Sequence, residues 1–317
     1  SNLPRQFTPF IGRHEEIAEI NRLLDDPACR ILVLLGPGGI GKTRLAIQIA
    51  EGQLARFSQG VGFVPLAGVT SPEKLPLAIA KSLQITFHQA GGDHRQQLLA
   101  ALRSRQMLIV LDNFEQLVGE DSAQLLLEMI DAAPELKLLA TTRVGLNLGV
   151  EQQYLLGGMS APAPGLADQQ ADPRAAETFS AVRLFVERAR RIDPRFSLDG
   201  QNLNAIIQIC QKVQGMPLGI ELAAAWLDVL SPQEIAAEID RSATFLDSEL
   251  HELPVRQRGL QAVFDSTWEL LTPHEREAFK TLSVFRGGFT RQAALAVAGA
   301  TLRDLAALAN KSLLGRD

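Results

Sequence analysis

"ILVLLGPGGIGKTRLAIQIA" occupies residues 31–50, and its reading decides the fold. The unbroken apolar run at its start is the pattern of a strand buried on both faces, as in a parallel sheet. Gly36 to Thr43 then fit G-x-x-x-x-G-K-[ST], a turn between strand and helix that cradles phosphate. Gly36, Gly38, Gly39 and Gly41 let the backbone turn tightly enough to aim its N–H groups at phosphate oxygens. Lys42 would reach the β- and γ-phosphates, and the Thr43 hydroxyl would bind Mg²⁺. The expected cofactor-binding set is therefore Gly36, Pro37, Gly38, Gly39, Ile40, Gly41, Lys42 and Thr43, with Arg44 beside them.

Working outward, further apolar runs predict strands at 60–68, 106–112, 136–142 and 152–158, besides 30–36. Helical periodicity predicts helices at 15–26, 42–56 and 93–105. Strands alternating with helices imply a parallel sheet covered on both faces. "LIVLDNFEQL" (108–117) delivers Asp112 to the end of its strand, where it is the natural Mg²⁺ partner. The next residue is Asn113, an amide, which can orient a water but cannot take its proton. Glu115 is the nearest acid, and reads either as a substitute base or as an exposed helix charge. "LLATTR" (138–143) ends at the ligand-binding edge of the sheet, so Arg143 is a candidate reader of the γ-phosphate.

After residue 160 the pattern changes. "APAPGLADQQADP" (161–173) looks like a linker, followed by helices at 175–191, 202–214, 217–229 and 232–241. A second break, "HELPVRQRG" (251–259), precedes helices at about 259–271, 273–283, 290–298 and 301–311. The closing "KSLLGRD" reads as the first strand of a hairpin, so the natural chain is expected to continue.

The bulk composition is ordinary for a globular protein, with 46% hydrophobic and 21% charged residues over a length of 317. Apolar runs are far shorter than the ~18 residues that span a bilayer, so no membrane contact is expected. The N-terminus shows no export signal, and Cys29 and Cys210 stand far apart, which favours a reduced, cytoplasmic setting. The net charge of −5 argues mildly against a nucleic-acid coat. Residues 255–317 carry nine Lys/Arg against six Asp/Glu, which keeps a DNA-binding regulator open. The helix "TLRDLAALAN", however, offers only Arg303, partly countered by Asp304, and suits packing better than a groove.

Six motifs occur in a fixed order: "FTPFIGRHEEIAEINRLL", "GPGGIGKTRLA", "LIVLDNFEQL", "LLATTR", "GMPLGIELAAAWL" and "FDSTWELLTPHEREAFKTLSVFRGGF". In that order they resemble the STAND class of signalling ATPases, most of all its AP-ATPase (NB-ARC) branch in large bacterial regulators. The resemblance covers nearly the whole chain. It implies a P-loop α/β domain at 1–160, a helical domain at 161–250 and a winged-helix domain at 251–317, closing over ADP or ATP with Mg²⁺. Ile11 and Gly12 would lie near adenine and Arg13 near the ribose or phosphates, while Pro217 would pack on the nucleotide. The catalytic set would be Lys42, Asp112, Asn113 and Arg143, and the metal set Thr43 and Asp112. The family's Met-His-Asp motif has no counterpart among His14, His88, His94, His251 and His274. The implied function is a slow ATPase timer that assembles, as a homo-oligomer, in its ATP state and answers to other domains of a longer chain. The competing expectations are an AAA+-like ATPase driven by nucleic acid and a scaffold that binds nucleotide without hydrolysis.

Overall fold

The structure is a computed structural model that describes residues 1–87, 93–163, 172–241, 246, 264–265, 267–285, 288–311 and 313–314. It divides into two compact units. One contains Ser1–Pro9, His14–Gly36 and Lys42–Leu156; the other contains Phe10–Arg13, Pro37–Gly41 and Gly157–Asp317.

The first unit is built on five parallel strands: β1 (Ile31–Leu35), β2 (Val61–Pro65), β3 (Leu108–Asp112), β4 (Lys137–Thr142) and β5 (Glu151–Leu155). Their order across the sheet is β2-β3-β4-β1-β5. β1, β3 and β4 are buried along their whole length, as their apolar runs require. Alternate β1 side chains feed opposite faces. Ile31, Val33 and Leu35 join a core with Val64, Ile79, Leu98, Leu125 and Met129. Edge strand β5 is mostly exposed and opens Glu151-Gln152-Gln153, polar chemistry that discourages further strand pairing. It begins one residue earlier and ends three earlier than the predicted 152–158, because Gly157 and Gly158 leave the sheet for the second unit.

Helices α1 (His14–Asp25), α2 (Lys42–Gly52), α3 (Leu75–Ser82), α4 (His94–Leu102) and α5 (Glu120–Ala132) complete this unit. α2 stops short of the predicted residue 56, and the chain continues from Gln53 in turns. The connections leaving β1 and β4 run in opposite directions across the sheet. That arrangement puts ligands beyond the carboxyl ends of those strands.

The second unit is helical: α6 (Pro173–Ala176), α7 (Ser180–Ile192), α8 (Leu203–Lys212), α9 (Pro217–Ala225) and α10 (Pro232–Arg241), then α11 (Pro273–Leu282), α12 (Arg291–Ala298) and α13 (Leu302–Asn310). The predicted helix 175–191 is in fact two, interrupted between Glu177 and Phe179. α7 turns Ala181, Leu184, Phe185 and Ala189 into a core shared with Ile206, Ile209, Ile220 and Ala223. Its outward Arg188 pairs with Glu221 of α9 at 2.6 Å. Cys29 and Cys210 are both buried and free, and burial pushes the Cys210 thiol up to about 12. α11 and α13 each start with a reciprocal cap, Thr272 with Glu275 and Thr301 with Asp304. Asp304, weighed above as a countercharge in a recognition helix, is thus engaged in its own helix start. The break at 251–259, with His88 and His251, lies outside the described residues, as do most of the 161–173 linker and the start of the helix predicted at 259–271. Of "KSLLGRD", Lys311, Leu313 and Leu314 are described and form no strand.

Two backbone segments of this unit touch without side chains. Met159 N–H donates to Gly215 O at 2.8 Å. A Cβ on Gly215, whose φ is +64°, would sit 2.1 Å from the Met159 carbonyl oxygen. Gly215→Ala therefore combines left-handed strain with a backbone clash, and is expected to lower the melting temperature by about 5 °C or more. Differential scanning calorimetry against wild type measures it.

Candidate phosphate-binding site

In the first unit the carboxyl ends of β1, β3 and β4 carry the polar residues. The β1–β4 register aligns Leu35 with Thr142. The β3–β4 register aligns Leu111 with Ala140, which brings Asp112 beside Thr141. Asp112 is buried, and its Oδ1 accepts hydrogen bonds from the hydroxyls of Thr43 at 2.7 Å and Thr141 at 2.6 Å. Burial raises the pKa of Asp112, opposed by those two hydroxyls, with the Glu115 charge adding to the rise and Lys42 opposing it. Thr43 and Asp112 offer one hydroxyl and one carboxylate. This pair suits Mg²⁺, which takes few protein oxygens and keeps its other positions for water and phosphate.

Lys42 is the first residue of α2 and is buried, with Nζ donating to the Gly36 carbonyl at 2.7 Å. Burial brings its pKa down to about 8; the Glu115 charge raises it, Arg143 lowers it and Asp112 raises it. An ammonium held at such desolvation cost is one that an incoming phosphate would stabilise.

Asn113 adopts a left-handed backbone, φ 61° and ψ 55°, a conformation that asparagine tolerates better than most residues. Its N–H donates to Thr141 Oγ1 at 3.0 Å, so this one hydroxyl orders both Asn113 and Asp112. The turn that follows, Phe114–Leu117, is anchored by the buried side chains of Phe114 and Leu117. It turns Glu115 inward. The exposed-charge reading of Glu115 is therefore overturned: its side chain is 9% exposed and lies 3.5 Å from Nε of Arg143, itself 8% exposed. Asn113 Nδ2 donates to the same carboxylate at 3.3 Å. Arg44, expected near cofactor, donates to Thr8 O and Oγ1 and to Pro9 O.

In the second unit, loop residues Pro37–Gly41 pack with the segment around Pro217. Leu218 N–H donates to Gly39 O at 3.2 Å. A Cβ on Gly39 would lie 2.9 Å from that of Leu218, and one on Gly41 would lie 3.8 Å from Pro217 Cγ. Arg13, expected near the ribose or phosphates, is buried. It donates to Gly157 O at 2.7 Å and to Gly158 O and Ile40 O at 3.4 Å each. Gly12 has φ +70° and no room for a side chain beside Ser180. Ile11 packs against the helical core.

Thr141 and the Arg13–Ile40 bond escape a reading along the chain. The only signal for Thr141 was a hydroxyl pair ending a strand that is otherwise apolar, and its meaning depends on cross-strand register.

Comparison with known proteins names the class. A family described as the AAA domain matches residues 26–153, so this region is an AAA-type P-loop NTPase domain. The chain is 30% identical over 293 residues to the uncharacterized protein Rv0894 of Mycobacterium tuberculosis (strain ATCC 25618 / H37Rv), covering 92% of this chain and 70% of that protein, and belongs to its family. It is also 35% identical over 295 residues to Rv0890c of the same strain, named as an HTH-type transcriptional regulator. That match covers 91% of this chain but 31% of the regulator, so the chain spans about a third of that relative's length. In three dimensions it overlays the ORC2 protein of Aeropyrum pernix, solved as ADPNP-ADP complexes, with a TM-score of 0.51 at 16% identity, over 100% of this chain and 90% of that one.

The buried Lys42 has a measurable consequence. Its folded pKa of about 8 lies below its ordinary 10.5, so between those values the unfolded chain holds the proton and the folded chain does not. The Lys42 contribution to stability therefore rises with pH across that window. Lys42→Met is expected to stabilise the nucleotide-free protein at pH 7 by up to about 3 kcal/mol, an advantage shrinking toward pH 10. Urea midpoints for both proteins at the two pH values check this.

Proposed function

We propose that this chain is the nucleotide-binding switch of a larger STAND-type regulator of the AP-ATPase (NB-ARC) branch, binding ADP or ATP with Mg²⁺ and hydrolysing ATP slowly. The observation that carries the reading is the group formed by the buried Lys42, Asp112 and Arg143 with half-buried Thr43 at the ends of β1, β3 and β4. The regulator name of one relative, and the larger size of that relative, support a module within a longer signalling protein. The nucleotides in the archaeal ORC2 complexes support adenine nucleotide as the ligand. Three domains, at 1–160, 161–250 and 251–317, fit this assignment.

Each residue then has a physical task. The glycine turn from Gly36 offers its N–H groups to phosphate, and Lys42 gives up its bond to the Gly36 carbonyl for the β- and γ-phosphates. Thr43 and Asp112 hold Mg²⁺, which neutralises phosphate charge during transfer. Ile11, Gly12 and Pro217 shape the adenine end, and Arg13 holds the loop by its bond to Ile40. Asn113 orients the attacking water. Arg143 distinguishes ATP from ADP, because a ligand shifts a conformational equilibrium only through contacts that differ between the two states. ADP keeps the domains closed, and ATP favours opening and self-assembly. The mostly apolar α13, whose one acidic residue is used as a cap, fits domain packing better than DNA contact.

Two outcomes test the reading. ADP or Mg²⁺-ATP at about a hundred times its dissociation constant is expected to stabilise wild type by about 2.7 kcal/mol, and Lys42→Ala not at all, in a thermal shift experiment. Asn113→Ala is expected to slow turnover while leaving nucleotide affinity within about threefold of wild type. A wild-type protein whose melting ignores both nucleotides refutes the assignment.

A further inference from the structure

The Glu115 carboxylate is peculiar in how it is satisfied. Asn113 Nδ2 and Arg143 Nε both approach the same oxygen, Oε1, at 3.3 and 3.5 Å. The other oxygen, Oε2, is buried and makes no hydrogen bond among the described residues. Leaving a buried carboxylate oxygen bare is costly, and an ion pair selected for stability would engage both oxygens in the guanidinium fork. The side chain also sits among the phosphate-site residues: of the charges acting on Lys42 its effect is the largest, and it acts on Asp112 as well. No acid follows Asp112 directly, and Asp112 is the expected Mg²⁺ partner, so Glu115 is the next carboxylate along the chain able to accept a proton from water.

We infer that Glu115 is the base that takes the proton from the attacking water, with Oε2 as the accepting atom, and that Arg143 restrains this carboxylate until a γ-phosphate competes for the guanidinium. The inference rests on the nucleotide-switch reading and adds to it the group that does the proton transfer. In the step, an O–H bond of water breaks and its proton passes to Glu115. The water oxygen bonds to the γ-phosphorus, and the bond from that phosphorus to the β–γ bridging oxygen breaks, its electron pair leaving on ADP. The carboxylic acid then returns its proton to solvent. Asn113 is a positioning residue here: its left-handed backbone starts the turn that points Glu115 inward, and its amide holds Oε1 so that Oε2 faces the water. Arg143 couples recognition to chemistry, since the phosphate it binds is the one to be cleaved.

The experiment compares wild type, Glu115→Gln, Glu115→Asp and Arg143→Ala by steady-state release of phosphate from Mg²⁺-ATP, by equilibrium binding of ATP and ADP, and by melting temperature. Glu115→Gln is expected to lose about 100-fold or more in kcat, with ATP affinity within about threefold of wild type. Glu115→Asp, which keeps the charge on a shorter arm, is expected to retain part of the turnover. Arg143→Ala is expected to weaken ATP by about tenfold while leaving ADP nearly unchanged. Turnover of Glu115→Gln within about threefold of wild type overturns the assignment of the base. Equal losses of ATP and ADP affinity in Arg143→Ala overturn the competition for the guanidinium. If Glu115→Gln melts early, Glu115→Asp decides, and wild-type turnover there overturns the proposal. A wild type that binds ATP but never cleaves it overturns this inference and the slow hydrolysis of the switch reading, leaving its nucleotide binding standing; one that binds no nucleotide removes the whole switch reading.

Discussion

A carboxylate oxygen shared by two threonine hydroxyls is the constraint on which the site depends. Asp112 Oδ1 ties the start of α2, through Thr43, to the ends of β3 and β4, through Thr141. Burying that carboxylate costs free energy, and the two hydroxyls offset only part of the cost. The arrangement is tolerable because the short hydroxyl groups, with help from the Lys42 charge, hold the carboxylate in its ionised form. The oxygen therefore remains available to a metal that offers a stronger bond.

Lys42 shows the same tension with opposite sign. Its ammonium is buried against a backbone carbonyl and is held near the pH at which it would lose its proton. A pair of buried opposite charges, each desolvated, is costly for stability and suited to binding an anion together with a cation. Arg143 and Glu115 add a second buried pair of opposite charge one step further out, with Nε 3.5 Å from Oε1.

Much of this was legible along the chain, for definite reasons. A strand buried on both faces must be largely apolar, so β1 and β3 announce themselves as runs of Leu, Ile and Val, and β4 by its Leu-Leu-Ala centre. Phosphate loops need glycine, lysine and a hydroxyl at fixed spacing, which made Gly36, Lys42 and Thr43 recognisable. Edge strand β5 was harder to bound, because polar residues on an exposed edge blur into the loop that follows. The interrupted helix near Thr178 and the inward turn at Glu115 also escaped, since each depends on local backbone geometry that residue periodicity does not encode.

The sequence by itself determined the parallel sheet, the phosphate loop and the acid at the end of β3, because these follow from burial, from glycine stereochemistry and from spacing within single segments. Only the tertiary structure decided which partners those groups have. Thr141 meets Asp112 through the register of two strands 29 residues apart, Glu115 meets Arg143 because a left-handed residue reverses the chain, and Arg13 reaches Ile40 across 27 residues. Such contacts are set by how segments pack, and packing is a property of the folded chain rather than of any stretch read alone.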